Sequence, residues 1–97
     1  MTVSLDSWVT QSDSVLAREI EGETVILEFD RAEYFGLNHT GSRVWQLLRQ
    51  PSALQAVSDR VAADFSIAPD RAAADVLSLV QNLVEHGLAK VVAAPDR

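Results

Sequence analysis

Tyr34-Phe-Gly-Leu-Asn-His-Thr-Gly-Ser-Arg-Val-Trp-Gln-Leu-Leu48 is the stretch in which the chain changes period. Up to Asn38 the apolar residues fall in short extended runs. Beyond it Gly41, Val44, Trp45 and Leu48 recur at spacings of three and four, which places them on one face of a helix. Asn38 or Thr40 can accept a hydrogen bond from the first-turn amides, so this spacing predicts a helix over about 39–49. The period on either side of the junction then decides the fold.

Upstream, Ser14–Ile20 and Glu23–Phe29 are rich in β-branched and apolar residues, and Glu21-Gly22 between them can supply the positive φ of a tight hairpin. In the second run Val25, Leu27 and Phe29 share one face while Ile26 and Glu28 share the other, so one face is consistently apolar and the other mixed. Asp30-Arg31-Ala32 forms a further turn into a short strand, Glu33–Leu37. Downstream, Pro51-Ser52 breaks the first helix. Ser52 is a candidate cap for a second, over about 52–64, on which Leu54, Val57, Val61 and Phe65 recur. Pro69 suits the first turn of a third helix, and Gly87 suits its left-handed stop. Thr2–Asp13, with Trp8 and Val9, is expected to pack in part. Leu88–Val92 is expected as a short strand or a docked tail, and Ala93–Arg97 as a frayed end.

The order strand, strand, strand, helix, helix, helix predicts an α+β domain in which a three-stranded antiparallel sheet is followed by three helices, a winged-helix-like arrangement in permuted order. With 97 residues and no linker-like segment, residues 1–97 are expected to form a single domain. Hydrophobic residues at 47% and charged residues at 23% are enough for a core. No apolar run approaches a membrane span and no secretory signal opens the chain, so a cytoplasmic protein without a membrane partner is expected.

Charge and residue inventory exclude much of the chemistry. Fourteen acidic against eight basic residues give a net charge of −6, which repels a phosphate backbone. The third helix offers only Arg71 against Asp70, Asp75 and Glu85, so nucleic acid is not an expected partner and a winged-helix DNA-binding regulator is only the alternative reading. There is no cysteine. His39 and His86 sit at helix ends without a metal-ligand spacing, and no serine occupies a nucleophile elbow. The carboxylates around the hairpins read as solvated edge charges. Neither catalytic residue, metal nor cofactor is predicted.

What remains is a surface for a peptide. In the third helix Val76, Leu79, Val80 and Leu83 form a core stripe, and Leu77 and Val84 with Ala73 and Ala74 widen the apolar arc beyond what one packed face needs. The strand Glu33–Leu37 closes a meander and leaves an edge that can pair with an added chain. An edge strand beside an apolar helix flank makes a peptide groove.

The junction Leu37-Asn38, Thr40-Gly41, Val44-Trp45 and Leu47-Leu48, with the hairpin Glu21-Gly22, the Pro69-led helix and Gly87-Leu88, resembles the PqqD-like family over residues about 14–92. These proteins are recognition elements for leader peptides of ribosomally made, post-translationally modified peptides (RiPPs). The Tyr-Phe-Gly-Leu-Asn run is similar to stand-alone members, including those of lasso-peptide pathways. Where the family commonly places a polar cap before the third helix, this chain has Ala68. The resemblance implies a non-catalytic adaptor that binds the leader of a precursor peptide as an extra strand and delivers it to a modifying enzyme, such as a leader peptidase or a radical enzyme; a monomer is expected. It further implies that Glu33, Tyr34, Phe35 and Gly36 supply backbone pairing, and that Asp70, Ala74, Asp75, Leu77, Ser78 and Gln81 are cleft contacts. A proline at Phe35 should then remove an amide that pairs with the leader. Aromatics at such a junction are usually core, and Trp45 is expected to be structural.

Overall fold

A computed structural model describes residues 2–95. The predicted meander is present as β2 (Val15–Ile20), β3 (Glu23–Glu28) and β4 (Glu33–Leu37), paired antiparallel in that order. Three helices follow, α1 (His39–Leu47), α2 (Leu54–Phe65) and α3 (Pro69–Glu85). Glu21 and Gly22 both have positive φ, 54° and 83°, the pattern that lets a two-residue loop match strand twist. Gly22 is needed twice over, because a Cβ there would lie 2.6 Å from the His39 ring, whose Nε2 donates to the Glu21 carbonyl at 3.1 Å.

A single sheet is too simple a description. A second antiparallel sheet orders β5 (Ser52–Ala53), β1 (Trp8–Gln11) and β6 (Ala89–Val92), so the chain ends are paired with each other through β1 and β6. This sheet completes the helices. The Gln11 amide and the Thr10 hydroxyl donate to the Leu48 carbonyl at the end of α1, and the Gln11 side chain donates to the Trp45 carbonyl. The first amides of α2, Leu54 and Gln55, donate to the carbonyls of Ser7 and Leu5. Orphan groups at helix ends need such partners. Of the tail Ala93–Arg97, expected to fray, Asp96 and Arg97 lie outside the described residues.

One local expectation is corrected, and one strand buries the face that its pattern does not favour. Ser52 does not cap α2; its hydroxyl donates to the Leu47 and Gln50 carbonyls, and Ala53 precedes the helix without a side-chain bond. Nor is the consistently apolar face of β3 the buried one. Thr24, Ile26 and Glu28 are buried, while Val25 is 40% and Phe29 54% exposed. The inversion works because each polar group turned inward has a partner. Thr24 donates to the Ser42 hydroxyl at 2.7 Å, and the Glu28 carboxylate accepts from the Arg31 amide at 2.7 Å and from the Ser14 hydroxyl, clasping the β3–β4 loop. Glu28 is therefore not the solvated edge charge its position suggested.

The core joins all layers. Ile26 of β3 meets Val44, Trp45 and Leu48 of the first-helix region, Leu54, Val57 and Val61 of α2, and Ala72, Val76, Val80 and Leu83 of α3 in one buried cluster. Trp45 is 3% exposed, as expected of a structural residue. No described helix is long and apolar enough to cross a membrane.

Candidate functional site

The site begins at the strand–helix junction. Asn38 directly follows β4 and caps α1, its Oδ1 accepting from the Gly41 amide at 2.9 Å. That bond fixes the angle at which the chain leaves the strand. Asn38→Ala is expected to lower stability by about 1 kcal/mol, whereas Asn38→Ser keeps most of it. Urea unfolding midpoints measure the difference, and equal losses in both variants would contradict the capping role.

Which main-chain groups of β4 are free follows from register. Paired residues in an antiparallel ladder alternate between those that exchange hydrogen bonds and those whose groups point away. The Phe29 amide donates to the Ser14 carbonyl, which aims Phe29, and with it Leu27, Val25 and Glu23 by the two-residue repeat, at β2. Thr24, Ile26 and Glu28 then aim at β4, where their partners are Leu37, Phe35 and Glu33. The amides and carbonyls of Tyr34 and Gly36 are left pointing outward from the sheet edge. The amide of Phe35 is turned to β3, which corrects the expectation that a proline there would probe an incoming strand.

Side chains alternate perpendicular to this edge. Tyr34 is 72% exposed on the outer face of the sheet, whereas Phe35 and Leu37 are half-buried on the helix side. Between β4 and α3 lie two cavities that share Gly36, Leu37 and Leu79. One, of about 490 Å³, is lined further by Asn38, Thr40, Gly41, Ile67 and Asp75. The other, of about 240 Å³, is lined by Phe35, Asn82, Leu83, His86 and Leu88. Together they form a cleft with an apolar floor, Asp75 toward one end and His86 toward the other. The His86 ring meets Phe35 edge-on, centroids 5.2 Å apart, and its Nδ1 donates to the Asn82 carbonyl at 2.8 Å.

The predicted helix residues distribute unevenly around this cleft. Asp75 lines it, with its carboxylate 3.8 Å from Arg71 in an exposed pair of the kind worth little energy. Asp70 is exposed in the first turn, where its carboxylate accepts from the Arg71 amide and compensates for the missing cap at Ala68. Ala74 and Ser78 are exposed, Leu77 is half-buried against the core, and Gln81 accepts from the Val3 amide at 2.8 Å. None of these five lines either cavity. The wide apolar arc of α3 thus has two neighbours. The flank carrying Gln81 meets the N-terminal segment at Val3, and the flank carrying Asp75, Leu79, Asn82 and His86 meets β4. Leu79, Asn82, Leu83 and His86 were not singled out by sequence as cleft residues, although 75, 79, 82 and 86 form one helical stripe. Among the described residues no group of three or more His, Asp or Glu could hold a metal ion.

Fold and site define a class of small α+β domain in which an open strand edge faces a helix-walled cleft. Residues 23–89 match the model of the family described as coenzyme PQQ synthesis protein D (PqqD), and the chain belongs to that family. Its structure is similar to that of TbiB1 in complex with the TbiA(beta) leader peptide, with 28% identity, coverage of 90% of this chain and 99% of that one, and a TM-score of 0.77. A lasso peptide synthetase B1 complexed with its leader peptide shares the fold at 22% identity, with coverage of 84% and 96% and a TM-score of 0.74. So does the PqqD truncation of Methylobacterium extorquens PqqCD, described as a stand-alone RiPP recognition element, at 16% identity, 93% and 95% coverage and a TM-score of 0.74. No curated protein sequence matches the chain significantly.

Proposed function

We propose that this protein binds the leader region of a ribosomal precursor peptide as an added antiparallel strand on β4 and presents the rest of the precursor to a modifying enzyme. The observation that carries this reading is the conjunction of outward main-chain groups at Tyr34 and Gly36 with the cleft along α3. Strand addition draws affinity from such main-chain groups and specificity from pockets for alternate side chains. Every second leader side chain would enter the cleft over Leu37, Leu79 and Leu83, past Asp75 or His86. Family membership and the leader complex of the 28% identical TbiB1 support it.

The role is that of an adaptor without catalysis of its own, in a lasso-type or PQQ-type pathway, with a leader peptidase or a radical enzyme as the recipient. The meander followed by three helices is also what makes the domain winged-helix-like in this reading. Nothing in α3 supports the DNA-binding alternative, since its one basic residue, Arg71, is paired with Asp75.

Titration with a synthetic leader of a precursor peptide sought among the neighbouring genes, followed by amide chemical shifts, tests the reading. Shifts are expected at Tyr34–Leu37 and at Asp75, Leu79, Asn82 and His86. Perturbations confined to α2 or to β1 and β6 would overturn it.

A further inference from the structure

The face of the meander opposite the helices is apolar and uncovered. Across the sheet Leu16 pairs with Leu27 and Leu27 with Tyr34, and beside this row Arg18 pairs with Val25 and Val25 with Gly36. Leu16 is 49%, Ile20 63%, Val25 40% and Tyr34 72% exposed, and Phe29, two residues beyond Leu27, is 54% exposed. Together these side chains present on the order of 500 Å², toward the upper end of the apolar patches that monomers leave in water. This is the consistently apolar face of β3, turned outward because the inner positions carry satisfied polar groups.

We propose that this face is the contact between two copies of the chain, so that the monomer expected from sequence is the dilute form of a weak dimer. Two such faces laid together bury roughly 1,000 Å², the size of a weak, reversible interface, in the manner of aligned sheets stacked about 10 Å apart. Charge also suits a second copy. The chain carries −6 overall, yet the strand residues of this face include one cation, Arg18, and one carboxylate, Glu23, so the patch itself is neutral. A two-fold contact needs a surface that is its own complement, and opposite charges around an apolar centre allow each to meet the other across the axis. Tyr34 joins this face through its side chain, but the main-chain groups of the β4 edge point along the plane of the sheet and the cleft along α3 lies on its opposite side, so both stay open in both copies.

Sedimentation velocity of the full chain, from micromolar to millimolar concentration and without peptide, tests the proposal. The expected result is a reversible shift from monomer to dimer, with a dissociation constant on the order of 10 µM. Leu16→Glu places a charge within the face, beside Leu27 of the central strand, and should weaken the dimer about tenfold, and Ile20→Thr, which keeps strand propensity, should weaken it severalfold. Both side chains are largely exposed, so circular dichroism should remain that of the parent. A monomer at every concentration, or a dimer that both folded variants leave intact, would overturn the proposal. Because mass is read without leader, the outcome is independent of the leader-binding reading.

Discussion

Gly36→Pro is expected to weaken leader binding roughly 5–150-fold while the domain stays folded. The Gly36 amide points away from β3, so losing it removes no bond from the sheet, and proline is tolerated on an edge strand when its nitrogen faces outward. A Cβ at Gly36 meets nothing within 4 Å, so the fold has room for the ring. The incoming strand does not. It loses a donor, its own carbonyl is left unpaired in a cleft, and such a buried unsatisfied group costs about 1–3 kcal/mol, roughly 5–150-fold in affinity. Two controls sharpen the result. Gly36→Ala keeps the amide and should bind almost as the parent does. Phe35→Pro removes a bond to Ile26 and should lower stability instead. Calorimetric titration measures the affinities and urea unfolding the stabilities; a Gly36→Pro variant that binds normally would contradict strand addition.

The largest stability effect is expected at Trp45. The residue is 3% exposed, in the same buried cluster as Ile26 of the meander and Val57 and Val61 of α2, and its carbonyl accepts from the Gln11 side chain. Trp45→Ala removes the largest residue of the cluster and should cost about 3–5 kcal/mol. For a domain of this size that is a large fraction of the total stability. Trp45→Phe, which fills most of the volume, should lose less than half as much. Thermal unfolding distinguishes the two, and an unchanged midpoint in Trp45→Ala would show that the residue is not structural.

The parts of this fold that are legible in sequence are those set by neighbours along the chain. The hairpin at Glu21-Gly22, the Asn38 junction and the start of α3 at Pro69 each depend on a few consecutive residues, and each stands where the pattern puts it. The second sheet depends on contacts that no local window contains. Trp8 pairs with Ala53 and Val92, and strands of four and two residues are too short to show alternation. The inverted face of β3 has the same origin. Thr24 and Glu28 read as outward until Ser42 and the Arg31 amide are known to meet them.

The candidate site divides along similar lines. Its edge strand is legible because Glu33–Leu37 closes a meander, and the bonding parity of that strand then follows from register. The helix wall is not, because the apolar arc of α3 is wide enough for two neighbours and periodicity cannot tell which flank each one takes. Asp75 and Leu79 face β4, whereas Gln81 lies on the flank taken by the N-terminal segment.

Hydrogen exchange at single amides of β4, with and without leader, tests strand addition most directly. In the free protein the Tyr34 and Gly36 amides should exchange quickly and the Phe35 amide slowly, and leader should slow Tyr34 and Gly36 while leaving Phe35 little changed. Bound leader with Tyr34 and Gly36 still exchanging at their free rates would contradict the account.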